Sequence, residues 1–204
     1  MRSLHQFLVK PKGERYNNTK DIGGKSFIVN SENQNHEYVN RIGVVISTPS
    51  LFNSSILPGA EVILHHNVFR RWSDVRGVEK NSKAYFDKDK YLVSPDQLFL
   101  YKNTNDEDWK PVDGFCFVQP LLYQDEFSKE KEHPDRGVIV YTDGTFNKGD
   151  VVGYTPFSQY EFIIDGQRLF RVYNKFITIK YEYKGNEKTY NPSWAQSSWW
   201  VNKS

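Results

Sequence analysis

Short segments in which apolar and polar residues alternate recur along the whole chain. They are rich in β-branched and aromatic residues, and glycine, proline or asparagine stands at their ends; examples are HQFLVKP at 5–11, RIGVVIST at 41–48, AEVILHH at 60–66, QLFLYKN at 97–103 and GVIVYTD at 137–143. A period of two with such residues is typical of half-buried β-strands. No window of helical length shows a sustained period of 3.6. The pattern therefore predicts an all-β protein built from many short strands.

Four of these segments recur in the same order in the second half of the chain. The matches pair Gly43 with Gly137, Gly59 with Gly149 and Leu98 with Phe176. The paired segments are 7–11 with 116–120, 40–48 with 135–143, 57–64 with 147–154, and 95–103 with 173–181. Self-similarity in conserved order indicates a tandem duplication.

The duplication divides the chain into four regions. The first module covers 1–104 and carries a long loop at 12–39. A charged, turn-rich linker follows at 105–113, a second and shorter module covers 114–184, and an aromatic-rich tail covers 185–204. Short strands with one apolar face suit a small barrel or sandwich, so we expect two tandem β-barrels.

The long loop of the first module contains an unusual apolar triplet. In the segment DIGGKSFIVN, a glycine pair at Gly23 and Gly24 is followed by Phe27, Ile28 and Val29 inside an otherwise polar stretch. The corresponding region of the second module is shorter and has no such triplet. The triplet is therefore a candidate attachment point, with an ordinary short strand packed on its own module as the alternative.

The ordered set of motifs resembles the GroES-like co-chaperonins. Residues 3–104 contain, in the order of that family, a strand with VKP, a polar loop with Gly-Gly and an aliphatic triplet, RIGVVIST, LPGAEVIL and YLVSPDQLFLY; residues 113–183 resemble the family more weakly. The resemblance implies a β-barrel subunit of a ring that caps a chaperonin chamber. It also implies that Gly23 and Gly24 are the flexible pair and that Phe27, Ile28 and Val29 bind the ATP-bound chaperonin. Lys25 and Ser26 stand between the two motifs, where the family has none.

Charge and composition exclude several classes of partner. Lys and Arg total 27 against 25 Asp and Glu, a net charge of +2 with both signs scattered, which indicates neither nucleic acid nor a membrane surface as partner. The apolar runs are too short to span a bilayer. The single cysteine, Cys116, excludes an intramolecular disulfide, and its apolar surroundings predict a buried side chain. We expect a cytoplasmic homo-oligomer.

Enzymatic motifs are absent from the sequence. There is no G-x-S-x-G, no P-loop and no G-x-G-x-x-G, so we expect neither catalytic residues nor a cofactor. A medium-chain dehydrogenase, which also contains a GroES-like domain, would need a nucleotide-binding half and zinc ligands. His65 and His66 are adjacent, and on a strand they would point to opposite faces and could not readily share a metal ion.

Two further segments are candidates for contacts. The stretch VFRRWSDVRG at 68–77 is expected to form a solvated hairpin or an intersubunit surface, with single-stranded nucleic acid stacking on Trp72 as the alternative. In the tail, Trp194, Trp199 and Trp200 are too apolar to be left in water, so the tail either folds back over a barrel or docks onto a neighbour. We assign the three residues to an assembly contact.

Two functions remain open from the sequence. The first is a co-chaperonin that docks through Phe27, Ile28 and Val29 and closes a chaperonin ring. The second is a bacteriophage virion or capsid-associated protein that reuses a GroES-like barrel as a decoration or connector. The aromatic tail and an Asn-, Lys- and Tyr-rich composition, typical of an AT-rich and viral genome, favour the second.

Overall fold

The computed structural model describes residues 3–16, 19–22, 25–28, 39–123, 131–182, 185 and 187–196. It divides the chain into two compact units, Met1–Trp109 and Lys110–Ser204, and the division falls inside the predicted linker. The strands pair in antiparallel fashion, and the one α-helix of the described part, α1 (Ser193–Gln196), is a single turn. The all-β prediction is confirmed. No helix among the described residues has the length and apolar content to cross a membrane.

The first unit is organised around one antiparallel sheet. Six strands of this unit lie in that sheet in the order β10-β5-β4-β1-β9-β8, and β2 with β3 and β6 with β7 form two separate two-stranded sheets. The strands are β1 (Phe7–Pro11), β2 (Thr19–Ile22), β3 (Lys25–Ile28), β4 (Ile42–Ser47), β5 (Glu61–Leu64), β6 (Arg71–Ser73), β7 (Glu79–Asn81), β8 (Tyr85–Asp87), β9 (Lys90–Val93) and β10 (Leu98–Lys102). A 3-10 turn at Pro95–Gln97 leads into β10. Val9, Val62, Leu64 and Tyr91 are fully buried in the core.

The second unit begins with the two-residue strand β11 (Lys110–Pro111) and is organised around its own sheet. The order of that sheet is β15-β16-β12-β13-β14-β17. Its strands are β12 (Phe115–Tyr123), β13 (Lys131–Thr142), β14 (Val151–Tyr154), β15 (Tyr160–Ile164), β16 (Gln167–Tyr173) and β17 (Ile177–Tyr181), with a 3-10 turn at Asn174–Phe176 before β17. The core cluster includes Cys116, Val118, Ile139, Val152 and Val172.

The two sheets have the same strand order when matching strands are compared. Their register agrees as well, since Pro11 lies opposite Gly43 in the first unit and Pro120 lies opposite Gly137 in the second. The irregularities also coincide: the β1–β4 register shifts between Leu8 and Val9, and the β12–β13 register shifts between Phe117 and Val118, at the same distance before Pro11 and Pro120. Strand order, register and bulge position together are what a duplicated module would retain.

Two pairs of glycines occupy equivalent positions in the two units, and within each pair the physical reason for glycine is the same. A Cβ on Gly43 would lie 2.5 Å from Val9 Cγ1, and a Cβ on Gly137 would lie 2.6 Å from the Gln119 carbonyl oxygen. Gly59 and Gly149 both have φ +91° in the turn before the third strand of the module, where a side chain would be strained. The glycines matched in the sequence thus mark close strand approach and tight turns.

Two sequence expectations differ from the structure. No sheet in the described part of the chain closes into a barrel; each unit contains an open sheet. The counterpart of Leu98 is Ile177 rather than Phe176, because Leu98 pairs with Leu64 and Ile177 pairs with Tyr154 at the matching position. Phe176 ends the 3-10 turn, and a shift of one residue would place the wrong side chains on each face of the strand.

Candidate functional site

The inserted segment, residues 17–38, separates two strands that are direct neighbours in the first sheet. The β1–β4 ladder ends at Pro11 and Gly43, and an isolated bridge between Tyr16 and Val39 closes the base of the insertion. In the second unit the matching ladder continues out to Tyr123 opposite Lys131. The sheet of the module therefore forms without the insertion.

The part of the inserted segment that the structure describes is a β-hairpin. Strand β2 pairs with β3 so that Ile22 lies opposite Lys25, Lys20 opposite Phe27, and Thr19 opposite Ile28. In the described residues this hairpin is a sheet of its own and has no ladder to the main sheet of the unit. An isolated two-stranded hairpin is at best marginally stable in water, so a partner surface would favour its ordering.

The structure covers the predicted attachment residues unevenly. The backbones of Phe27 and Ile28 are in β3, whereas Gly23, Gly24 and Val29 lie outside the described residues. Lys25 and Ser26, which separate the glycine pair from the triplet, are the first two residues of β3 and extend the hairpin ladder. The assignment of the triplet to partner binding stays a prediction.

Asn40 holds the two ends of the inserted segment together. This residue is buried, with 4% of its surface exposed, and its Nδ2 donates to the carbonyls of Lys12 and Glu14, each at 2.8 Å. Its Oδ1 accepts from the backbone N–H of Ile42 at 2.9 Å, and its own N–H donates to the Arg15 carbonyl at 2.9 Å. One amide thus satisfies backbone groups on both chain segments where regular pairing stops.

Arg15 and Tyr16 attach the same base to the next part of the unit. Arg15 donates from Nε and Nη2 to the Phe69 carbonyl at 3.2 and 3.0 Å, and from Nη1 to Asn81 Oδ1 at 2.9 Å. The hydroxyl of buried Tyr16 accepts from the backbone N–H of Arg71 at 2.5 Å, and the Arg71 guanidinium lies 5.0 Å from the Tyr16 ring centre. Four hydrogen bonds therefore hold the base of the insertion to the segment 69–81.

The hydrogen bonds at the base of the insertion were not predicted from the sequence. The signal available was a polar residue, Asn40, directly before the apolar strand that begins at Ile42, since asparagine favours side-chain hydrogen bonds to nearby backbone. The long-range acceptors at Lys12 and Glu14 carry no sequence signature, because carbonyl groups are common to every residue.

The second predicted contact segment forms a hairpin, as expected from the sequence. Strands β6 and β7 pair with Trp72 opposite Lys80, and Arg71 makes an ion pair with Glu79 at 3.1 Å. The tip is apolar and exposed, with Val75 fully accessible and Val78 half-accessible. Nothing in the structure tests a role for Trp72 in nucleic-acid stacking.

The tail folds back on the second unit over its described part. Leu122 donates its N–H to the Lys188 carbonyl at 2.7 Å, and the Tyr190 N–H donates to the Pro120 carbonyl at 2.8 Å. Trp194 lies in α1 with its ring centre 5.6 Å from the Arg168 guanidinium. Trp199 and Trp200 lie outside the described residues, so the assembly role of the three tryptophans stays a prediction.

The histidine pair is placed differently from the expectation. His65 and His66 follow the end of β5 in a turn, so strand alternation does not apply, and their rings stack with centres 4.3 Å apart. Within the described part of the chain, no group of three or more His, Cys, Asp and Glu residues could hold a metal ion.

Cys116 is buried as predicted, and its Sγ donates to the Val172 carbonyl at 3.7 Å. Burial raises the pKa of the Cys116 thiol to about 12, and the nearby Asp143 carboxylate adds to this effect. A thiol in this state is neutral and is not a nucleophile at physiological pH.

The comparisons with known proteins identify no relative. No protein-family model, no curated protein and no solved structure matches the chain.

Proposed function

We propose that this protein is a co-chaperonin-like assembly protein. In this proposal two tandem GroES-like modules form part of a cytoplasmic homo-oligomeric cap on an ATP-bound chaperonin ring, and Phe27, Ile28 and Val29 are the residues that dock on that ring. No cofactor and no catalytic residue are assigned. The proposal combines the motif order of the sequence with the position of the inserted segment in the fold.

One observation carries the proposal most directly. Of two modules with the same strand order and register, only the first has the inserted segment between its first two paired strands. The second module builds its sheet without such an insertion. The sheet does not need this segment, and hydrogen bonds of Asn40 and Arg15 fix its base. The segment also has three consecutive apolar residues, so it is well suited to contact a partner.

The energetics favour a reversible contact of this kind. Burying two or three apolar side chains contributes about 1.5–3 kcal/mol each, whereas ordering the chain around them costs about 1–2 kcal/mol per residue. A single copy would therefore bind weakly. Several copies in a ring would bind much more tightly, because the first contact raises the effective concentration of the others.

The hairpin register suggests a role for Lys25 and Ser26, the two residues that separate the glycine pair from the triplet and that the family lacks. Lys25 and Ser26 pair with Ile22 and Asp21, so the triplet begins two residue pairs away from the glycine connection. In this proposal Lys25 and Ser26 lengthen the hairpin and present the triplet further along it, instead of directly at the turn.

The test is replacement of Phe27, Ile28 and Val29 by serine in the full chain, followed by ATP-dependent pull-down with purified chaperonin rings. The matched control replaces two exposed valines of the other hairpin, Val75→Ser and Val78→Ser. We expect the triple variant to lose retention on the ring and the control to keep it.

Undiminished binding by the triple variant would remove the docking role of the triplet. Absence of binding by the unaltered protein, together with co-sedimentation with phage capsids, would support the alternative of a capsid-associated structural protein.

A further inference from the structure

The β6–β7 hairpin of the first unit is attached to the rest of the unit at its base. It forms a two-stranded sheet of its own, without a ladder to the main sheet in the described part of the chain. At the base, the Arg71 N–H donates to the Tyr16 hydroxyl, and the Ser82 hydroxyl donates to the Val68 carbonyl at 2.6 Å. Within the described residues, the hydrogen bonds of the tip, residues 74–78, all lie inside the hairpin. The tip is therefore accessible to a partner.

The tip has a defined shape of its own. The Asp74 carboxylate accepts hydrogen bonds from the N–H groups of Arg76 and Val78 at 2.9 and 3.0 Å. Gly77, with φ +76°, completes the tight turn, and its N–H donates to the Asp74 carbonyl at 2.9 Å. A three-residue loop with glycine in the left-handed region is a common hairpin connection. Val75 is thus held at the apex before any partner binds.

The apex and one face of the hairpin are apolar. Val75 is fully exposed, and Val78 and Trp72 are 49% and 48% exposed. Trp72 lies opposite Lys80, and the Asp74 N–H donates to the Val78 carbonyl, so Trp72 and Val78 are diagonal neighbours on the same face. Aliphatic residues at the apex with a tryptophan behind them match the order of a membrane interface, where tryptophan lies at the level of the lipid headgroups.

The hairpin also has a local excess of positive charge. Residues 70–83 include two acidic side chains, Asp74 and Glu79, and five basic ones, which are Arg70, Arg71, Arg76, Lys80 and Lys83. Glu79 pairs with Arg71 at 3.1 Å, and Asp74 lies 3.9 Å from Lys80. The other three basic side chains have no ion pair with any described residue, and Arg76 and Lys83 are exposed. This local excess is not visible in the net charge of the whole chain.

We propose that the β6–β7 hairpin binds the surface of an anionic lipid bilayer. Val75 and Val78 enter the boundary between headgroups and acyl chains, and Trp72 lies at headgroup level. Arg76 and Lys83 contact the negatively charged headgroups, each contributing to binding through the surface potential. The exposed valines favour a bilayer over single-stranded nucleic acid, because they offer no ring on which a base could stack.

The test is co-sedimentation of the full chain with two kinds of vesicle, one of phosphatidylcholine and phosphatidylserine and one of phosphatidylcholine alone. We expect binding to the anionic vesicles that weakens as the salt concentration rises, and no binding to the neutral ones. Arg76→Glu with Lys83→Glu should weaken binding at least about tenfold. Lys131→Glu with Lys175→Glu, the same charge change on exposed residues of the second unit, should weaken it less than about threefold.

Insertion of the apolar residues has its own readout. Lipids brominated on the acyl chains should quench the tryptophan fluorescence of the bound protein, and Trp72→Phe should remove most of this quenching while binding is retained. Val75→Ser with Val78→Ser should weaken vesicle binding about three- to tenfold, whereas Phe157→Ser, at an equally exposed position of the second unit, should not. The valine variant should still bind the chaperonin ring, so the membrane contact and the proposed function fail separately.

The proposal is wrong if the unaltered protein does not sediment with anionic vesicles at millimolar lipid. Equal loss of binding in the two charge-reversed variants would show attraction by overall charge without a role for the hairpin. Quenching that persists in Trp72→Phe would place another tryptophan in the bilayer. Binding of a single-stranded oligonucleotide that is lost in Trp72→Phe, without vesicle binding, would assign the hairpin to nucleic acid instead.

Discussion

Asn40 is the residue on which the base of the inserted segment depends most. Its side chain satisfies two carbonyls on one chain segment and one N–H on the other, in a buried position directly after the Tyr16–Val39 bridge. Replacement by alanine leaves these three backbone groups without partners while water is excluded from them. The cost of such a change is set mainly by the groups left unsatisfied.

We therefore predict that Asn40→Ala lowers the free energy of unfolding by about 1–3 kcal/mol. Urea denaturation followed by intrinsic tryptophan fluorescence measures the change. Asn67→Ala, at an exposed position, is the control and should stay within about 0.5 kcal/mol. An Asn40 variant as stable as the control would mean that water replaces the side chain at the base of the insertion.

Asp143 has a comparable role in the second unit. Its carboxylate accepts from the Gly114 N–H at 2.8 Å, the Thr145 N–H at 3.0 Å and Asn174 Nδ2 at 2.7 Å. Partial burial raises the pKa of Asp143, but the hydrogen bonds from Thr145, Gly114 and Asn174 outweigh it, and the net pKa lies below the ordinary value of 3.8.

A lowered carboxyl pKa has a defined effect on stability. The contribution of Asp143 is fully present above the unfolded-state pKa and is lost as the pH falls through the lower folded-state pKa. We predict that Asp143→Ala lowers the melting temperature at pH 7 and makes the fall of the melting temperature below pH 4 less steep. At pH 7 the variant should lose about 1 kcal/mol of its free energy of unfolding. Glu182→Ala, at an exposed position of the same unit, should leave the pH profile unchanged. Parallel acid profiles of the Asp143 variant and the unaltered protein would contradict this assignment.

At the scale of the element, the inserted segment is separable from the sheet that carries it. Tyr16 and Val39 already face each other as a bridge pair, a geometry that a two-residue turn can close. We predict that replacing residues 17–38 by Asn-Gly leaves cooperative unfolding and the β-type circular dichroism spectrum intact.

The comparison variant for this experiment is Gly43→Ala, whose added Cβ would clash with Val9 in the β1–β4 ladder. It should destabilise the unit by more than the excision does. If excision abolished cooperative unfolding, the inserted segment would belong to the core of the first unit and not to an attachment element.

The strands and the strand order shared by the two units were predictable from the sequence because both leave local signals. The period of two, the glycines at Gly43 and Gly137, and the prolines at Pro11 and Pro120 each reflect a backbone constraint that a residue type meets directly. The pairing of Leu98 with Phe176 was wrong by one residue. A 3-10 turn precedes each of these two strands, and apolar and polar residues do not alternate clearly where the turn passes into the strand.

The remaining features depend on contacts between distant residues. Whether a sheet closes is decided by its edge strands, and no local pattern indicates that the two edge strands of either sheet stay apart. The stacking of His65 on His66 depends on where β5 ends, and strand ends are the least certain part of a sequence pattern. Pairing of the tail with β12 uses backbone groups alone.

At the scale of the whole molecule, two modules of common strand order have acquired different additions. The first has the inserted segment and the β6–β7 hairpin, whereas the second has a tail that occupies the edge of its own first strand. Under the proposed function the first module supplies the chaperonin contact, and the second supplies a further sheet to the assembly.

The most direct measurement is electron microscopy of purified chaperonin rings incubated with the unaltered protein and ATP. Under the proposed function, additional density is expected over the ends of the ring cylinder, and this density should be lost when Phe27, Ile28 and Val29 are replaced by serine. Chaperonin ends that stay bare at saturating concentrations of the unaltered protein would contradict it.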